Sequence, residues 1–176
     1  MSTIEVEKSG GMFMQDSSKF VVFTVGDEEY AIPIESVLSI EKLEGITPIP
    51  HLPTYVKGIM KVRGELIPTI DTETILYDRA MEASDSVRVI VLRTDEISLG
   101  VLVKEAKEIL DIPAEVIKQV GLVAYQKTSY FTGVANLDSR LITIISPTVM
   151  VKTLEGIKEI QEYMESQLQE ADSKSH

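Results

Sequence analysis

The chain has 176 residues, enough for one domain or for two small barrels that share a core. It carries 28 acidic and 17 basic residues, a formal net charge of −11, which argues against nucleic acid and anionic membranes as partners. There is no cysteine, so disulfides, thiolate metal sites and cysteine nucleophiles are excluded. The N-terminus lacks a signal-peptide pattern, and no apolar run approaches the roughly 20 residues that span a bilayer. We therefore expect a cytoplasmic protein without direct membrane insertion.

The first predicted element follows a flexible tail at residues 1–18, which contains two adjacent glycines and shows no apolar period. Residues 20–25 are rich in β-branched and aromatic side chains, a turn follows at 26–29, and apolar residues resume at 30–32. This pattern predicts a β-hairpin whose first strand is buried on both faces.

The same order of elements occurs twice along the chain. Each half contains a hairpin, a short apolar phrase and a second hairpin, at 20–32, 37–40 and 55–70, and again at 87–103, 106–110 and 130–145. The first strands start 67 residues apart (20 to 87) and the short phrases 69 residues apart (37 to 106). Nearly equal offsets indicate a diverged internal duplication.

Many short strands separated by glycine- and proline-containing turns favour an all-β barrel or sandwich over an alternating α/β fold. We therefore predict two small antiparallel barrels packed side by side, one at about residues 19–80 and one at about 86–152. An exchange of strands between them is left open. Residues 71–86 are expected to form the connection that crosses from one barrel to the other.

The C-terminal part, residues 153–176, is predicted to be an amphipathic α-helix with a frayed tail. Apolar side chains are spaced by 3, 3, 4 and 4 residues, which places them on one face of a helix: Leu154, Ile157, Ile160, Met164 and Leu168. Two uses of this face remain open, because it can cover its own barrel or engage a partner.

The sequence contains no recognisable catalytic site. His51 lies between prolines and His176 is the last residue, and neither a serine-hydrolase elbow nor a phosphate-binding glycine loop occurs. The acidic run at 27–29 is typical of a solvated turn, and Asp71 with Glu73 is an acid–base pair that any acidic domain offers by chance. We therefore expect no enzyme activity, no cofactor and no metal.

A basic stripe on one predicted strand is the most informative surface feature. Because side chains alternate in a strand, one face shows Lys57, Ile59, Lys61 and Arg63. Such a stripe in an acidic protein is either a docking surface or an ordinary solvated face. Arg63 favours docking, since it stands beside Gly64 at a hairpin tip, where its planar guanidinium can reach a partner's carboxylate or carbonyl groups.

Three phrases, at residues 21–34, 56–71 and 100–103, resemble the CheW family of chemotaxis coupling proteins. The second phrase, KGIMKVRGELIPTID from Lys57 to Asp71, is similar to the most specific motif of the family, in which N-L-R-G is usual at the positions of residues 61–64. The resemblance runs in order from about residue 20 to residue 151.

The resemblance implies a mainly all-β fold of two five-stranded, SH3-like barrels and an adaptor without enzyme activity. It implies two partners, the cytoplasmic tip of methyl-accepting chemotaxis receptors and the regulatory domain of the histidine kinase CheA, in membrane-associated receptor arrays. Kinase-binding residues are not assigned. The receptor-binding positions that carry over, or would line the groove between the barrels, are Arg63, Val37, Ile40, Lys57, Gly58, Lys61, Val87 and Gly100.

Several positions depart from the family pattern. Lys61 and Val62 replace the usual Asn and Leu, Ser39 stands where Glu is common, Lys104 follows the third phrase in place of Asp, and Ser146 replaces Asp. The departures leave two other functions open. The chain can be a CheW-like paralogue that serves another receptor–kinase pathway, or a small-ligand-binding β-barrel.

Overall fold

The computed structural model describes residues 17–95, 97–119 and 130–174, so most of the predicted N-terminal tail lies outside the described residues. Most of the described chain forms strands. In chain order these are β1 (Ser17–Val25), β2 (Glu28–Pro33), β3 (Val37–Lys42), β4 (Val56–Val62), β5 (Glu65–Asp71), β6 (Arg88–Arg93), β7 (Ser98–Val103), β8 (Glu105–Pro113), β9 (Ile117–Gln119), β10 (Phe131–Leu137) and β11 (Arg140–Ile145). The helices are α1 (Thr72–Tyr77), α2 (Pro147–Thr153) and α3 (Ile157–Lys174).

The strands form two sheets. The six-stranded sheet has the order β8-β1-β2-β11-β10-β9, and the five-stranded sheet has the order β3-β6-β7-β5-β4. The four predicted hairpins are present as β1–β2, β4–β5, β6–β7 and β10–β11. The prediction of a mainly β fold with two barrel-like sheets and a C-terminal helix is therefore confirmed.

The two sheets exchange hairpins, which is the arrangement left open for the barrels at about 19–80 and about 86–152. Strands β1 and β2 lie in the six-stranded sheet with β8 to β11, whereas β6 and β7 lie in the five-stranded sheet with β3 to β5. Two parallel pairs, β2–β11 and β5–β7, join the exchanged hairpins to their sheets. A hairpin pattern specifies only local pairing, so the sequence could not show which distant strand each hairpin would join.

The sheets also carry the internal duplication. When β3, β6, β7, β5 and β4 are matched in order to β8, β1, β2, β11 and β10, each strand of one sheet has a counterpart in the other. The parallel pairs β5–β7 and β2–β11 occupy equivalent places in this scheme. Each sheet is thus built from the first hairpin of one half and the remaining strands of the other half.

Strand β1 separates the two hydrophobic cores. Phe20 and Val22 point into the smaller core, while Val21, Phe23 and Val25 point into the larger one. All five side chains are buried. Burial of both faces explains why the strand reads as an unbroken apolar run rather than an alternating one.

The C-terminal helix is attached at its beginning. Leu154 and Ile157 pack against the larger core and Ile160 is fully buried. The hydroxyl of Tyr55, in the loop between β3 and β4, donates a hydrogen bond of 2.7 Å to the carbonyl oxygen of Glu155. The first turns of α3 therefore cover the protein's own core, whereas a partner for the rest of the helix remains a prediction. The side chain of Leu168 lies outside the described residues.

Candidate functional site

The basic stripe on β4 is shorter than strict alternation predicts. Lys57 and Lys61 are exposed, but Ile59 and Met60 are both buried. A register shift between Val56 and Gly58 interrupts the strand. Ile59 then forms two backbone hydrogen bonds, of 2.9 and 2.8 Å, with Thr47 in the preceding loop. The apolar member of the predicted stripe is therefore covered, and only the basic side chains are accessible.

Gly58 makes this covering loop possible. Its φ of 153° lies in a region that side chains rarely adopt, and a Cβ atom there would lie 2.3 Å from the carbonyl oxygen of Thr47. The residue is buried. This corrects its assignment as a direct contact: Gly58 shapes the surface by allowing two backbones to approach closely.

Arg63 is presented at the tip of the β4–β5 hairpin. Arg63 and Gly64 form the two-residue loop with φ values of 53° and 87°, the signs that a type I′ turn requires. The Arg63 side chain is 78% exposed, and its Nε lies 3.4 Å from Oε2 of Glu41 on β3. That oxygen is buried and accepts no hydrogen bond from the described residues. The contact is thus a long ion pair, which leaves the other guanidinium N–H groups available to a partner.

Glu41 is a partner of Arg63 that the sequence analysis did not name. The family pattern has Glu at the position of Ser39, and Glu41 follows two residues later on the same strand. Val37, Ser39 and Glu41 are all half-buried, in alternation with exposed neighbours, so they share one face of β3. The two-residue period of the strand is the signal that could have placed the Glu41 carboxylate on the same face as Ser39.

The outer face of β3 carries exposed apolar side chains. Ile40 is 43% exposed and Leu38 is 44% exposed, although both are large and aliphatic. Val37 points the other way and packs against the larger core. Of the two predicted apolar contacts, Ile40 therefore lies on the surface and Val37 beneath it, and Leu38 is an addition that the sequence analysis did not name.

Lys57 and Val87, which are distant in sequence, line the same cleft, which we call the end cleft. It has a volume of about 440 Å³ and lies where β3 ends and β4 and β6 begin. Buried Met81, Val87 and Leu102 contribute apolar surface. Its charged side chains are of both signs: Lys42, Lys57 and Arg88, and Glu44, Glu82 and Asp85. A mixed rim over an apolar floor suits a peptide segment better than a small anion.

The end cleft borders the end of β3, the strand that also contacts Arg63. Lys42 lines the cleft and directly follows Glu41, the partner of Arg63. The guanidinium of Arg88 is fixed at the opposite wall, because its Nη1 donates hydrogen bonds of 2.8 Å to the carbonyl oxygens of Asp85 and Val87. Glu41, which contacts Arg63, and Lys42, which lines the cleft, are thus sequence neighbours at the end of β3.

Gly100 is not part of this surface, which corrects the sequence assignment. It is buried in β7, paired with Thr69 on one side and Val91 on the other. A Cβ atom there would lie 2.8 Å from Cγ1 of Val89 and 2.9 Å from Oγ1 of Thr69. The absence of a side chain at Gly100 is therefore required by packing between strands.

The carboxylates considered as an acid–base pair have structural partners. Asp71 accepts hydrogen bonds from three backbone N–H groups, and Glu73 pairs with Arg79 at 2.6 Å. The hydrogen bond to Glu73 raises the pKa of the Arg79 guanidinium. Among the described residues, no group of three His, Asp or Glu side chains is placed to hold a metal.

These features define a class of two-sheet β-proteins with an arginine-bearing hairpin tip and an apolar strand face. The family model for the CheW-like domain matches residues 19–155. The chain therefore belongs to the CheW family, as the motif at residues 56–71 indicated.

Individual relatives agree with this membership. The chain is 30% identical over 128 residues to the chemotaxis protein CheW of Klebsiella aerogenes, covering 72% of this chain and 77% of that protein. It is 30% identical over 149 residues to the chemotaxis protein CheW of Helicobacter pylori, covering 83% and 90%. The crystal structure of the scaffolding protein TtCheW from Thermoanaerobacter tengcongensis matches with a TM-score of 0.68 at 27% identity, covering 76% and 86%. No helix in the described part of this chain is long and apolar enough to cross a membrane.

Proposed function

We propose that this protein is a chemotaxis adaptor that couples methyl-accepting chemoreceptors to the histidine kinase CheA, without catalysing a reaction itself. Family membership supports the general role in chemotaxis signalling. The observation that carries the proposal is that the exposed Arg63, the aliphatic outer face of β3 and the end cleft all lie on the five-stranded sheet or at its border. The site of action is the cytoplasmic side of receptor arrays, where the protein is held by its partners.

The surface supports receptor binding through two kinds of contact. Leu38 and Ile40 offer aliphatic area that a partner helix can bury, at about 25 cal/mol per Å² of apolar surface. Arg63 and Lys57, both exposed, offer charged hydrogen-bond donors. An apolar centre with a polar rim is the usual anatomy of a protein–protein interface.

The experiment mixes the purified protein with a receptor signalling fragment and CheA, and measures co-elution and the rate of kinase autophosphorylation. A ternary complex with an altered rate is expected. Arg63→Glu should weaken receptor binding at least about tenfold, since it replaces a donor by a repelling charge. Arg93→Glu, an exposed arginine at the end of β6, is the matched control and should bind normally. Unchanged receptor binding by Arg63→Glu would remove Arg63 from the interface.

A second candidate is a CheW-like paralogue of another receptor–kinase pathway, and Lys104 favours it. The side chain occupies a position where the family usually has Asp, lies 3.9 Å from Asp27, and donates a 3.2 Å hydrogen bond to the carbonyl oxygen of Gly26. Parallel binding assays against the receptors of each pathway in the same cell would separate the two candidates. The small-ligand barrel is less favoured, because the smaller core is filled by buried side chains such as Val22 and Ile142.

A further inference from the structure

Asp71, the last residue of the motif at 57–71, is almost completely buried, with 2% exposure. A buried carboxylate is destabilising unless hydrogen bonds compensate its lost hydration. Here Oδ1 accepts from the backbone N–H groups of Glu73 at 2.9 Å and Thr74 at 3.3 Å, and Oδ2 accepts from that of Met81 at 2.9 Å. The backbone N–H of Asp71 also donates to the carbonyl oxygen of Tyr55 at 2.7 Å.

The two carboxylate oxygens hold different parts of the chain. Oδ1 caps the first turn of α1, which is an ordinary role for an aspartate before a helix. Oδ2 reaches ten residues ahead, into the segment between α1 and β6. That segment supplies residues 81–85 and Val87 to the end cleft. Oδ2 therefore fixes the start of a segment that lines the same cleft as Lys57.

The other sheet provides an internal comparison. Ser146 follows β11 as Asp71 ends β5, and it caps α2 as Asp71 caps α1. Its single hydroxyl oxygen accepts only from the backbone N–H of Val149, at 3.3 Å. Among the described residues it makes no contact equivalent to Oδ2–Met81. Capping of a helix therefore needs only one acceptor oxygen. The second carboxylate oxygen of Asp71 makes a contact, with Met81, that capping does not require.

We propose that Asp71 is a positioning residue for partner binding, which holds the wall of the end cleft through Met81 while touching no partner itself. This inference rests on the proposed function, since it takes the end cleft to be part of the receptor-binding surface. Without the Oδ2 contact, the segment from Ala80 to Val87 moves away from Lys57 and the cleft loses its shape. The receptor tip then binds more weakly although the sheets remain intact.

The test compares Asp71→Asn with Ser146→Ala. Asn keeps an oxygen for the cap but turns an N–H group toward the N–H of Met81, whereas Ser146→Ala removes a cap and leaves the cleft untouched. Asp71→Ser, which copies the residue at the equivalent position, is a second variant in case Asn disturbs folding. Each folded variant is measured for amide hydrogen exchange at Met81 and for affinity to the receptor signalling fragment.

For Asp71→Asn we expect amide exchange at Met81 to accelerate about tenfold or more and receptor affinity to fall about tenfold. This is the size expected when one buried hydrogen bond is replaced by two N–H donors that face each other. Ser146→Ala should change neither. Unchanged exchange at Met81, faster exchange with unchanged affinity, or an equal loss of affinity in Ser146→Ala would each overturn the proposal.

A failure of the proposed function would look different. If the wild-type protein binds no receptor fragment, the proposed coupling role is wrong. The shape of the cleft is then measured by the rate at which Lys57, which lines it, is acetylated. Asp71→Asn should then still alter acetylation at Lys57 while leaving that at Lys19, on the other sheet, unchanged. Equal acetylation at Lys57 in both proteins would overturn the positioning role as well.

Discussion

The guanidinium Nε of Arg63 lies 3.4 Å from carboxylate Oε2 of Glu41, and this contact joins a hairpin tip to the edge strand β3. The pair is unequal, because the Arg63 side chain is largely exposed while the Glu41 oxygen is buried and accepts no hydrogen bond from the described residues. An exposed ion pair of this length contributes at most about 1 kcal/mol to stability. Its value is therefore orientation, because Glu41 holds the Arg63 side chain next to the edge strand β3.

Glu41→Gln should leave the free energy of unfolding within about 1 kcal/mol of wild type, because the lost ion pair is weak and a poorly paired buried charge is removed with it. Receptor affinity should nevertheless fall, since Arg63 loses its orienting partner. A double-mutant cycle with Arg63→Gln, measured by titration calorimetry, checks the coupling. Fully additive effects on receptor affinity would show that Glu41 and Arg63 act separately.

Ile40→Ser should reduce receptor affinity at least about tenfold while changing the midpoint of urea unfolding little, because the side chain is exposed in the free protein and becomes buried in the complex. Leu141→Ser is the matched control, a leucine with 59% exposure on β11 of the other sheet. If both variants bind the receptor fragment equally well, the outer face of β3 is not the receptor surface.

Gly58→Ala should destabilise the fold by about 2 kcal/mol or more, since the new Cβ atom meets the Thr47 backbone and the φ value is unfavourable for alanine. Gly64→Ala also changes a glycine of positive φ, but no atom lies within 4 Å of its added Cβ. Its cost should stay near 1 kcal/mol. Urea unfolding of both variants measures the difference, and equal losses would show that the approach of Thr47 is not the cause.

Alkaline pH should loosen the beginning of α3 through Tyr55. Burial, and then the negative charges of Glu159 and Glu155, raise the pKa of Tyr55 to about 12. The free phenol titrates near 10. Because the folded protein binds this proton more tightly, the stabilisation is complete below pH about 10 and is lost as pH rises toward about 12. Urea midpoints between pH 8 and pH 11 should fall more steeply for wild type than for Tyr55→Phe, and parallel curves would contradict the assignment.

The exchange of hairpins predicts that neither half of the chain folds alone. A fragment of residues 17–85 contains β1 and β2 but lacks the strands of their sheet, and a fragment of residues 86–176 lacks the neighbours of β6 and β7. We expect no cooperative thermal unfolding of either fragment by circular dichroism, and a cooperative transition after mixing. A cooperative transition in one isolated fragment would mean that its strands form a sheet without exchange.

Local pairing could be predicted because it depends on residues near each other in the chain. The turn chemistry at Arg63-Gly64 specified one hairpin, and the unbroken apolar run of β1 indicated burial on both faces. The same patterns could not reveal that Ile59 is covered by Thr47, or that Gly58 and Gly100 are buried where other strands approach closely. Those facts depend on segments that the sequence does not mark as neighbours.

The sequence by itself determined the hairpins, the duplicated order of elements, the exposed arginine at a turn and the family motif, because each follows from residue type at short spacing. The tertiary structure alone decided which sheet each hairpin joins, that Glu41 rather than Ser39 faces Arg63, and that Lys57 and Val87 share one cleft. The physical reason is that these contacts form between strands distant in sequence, which the parallel pairs β2–β11 and β5–β7 help to bring together. These pairings are stabilised by burial of apolar side chains in cores to which both halves of the chain contribute.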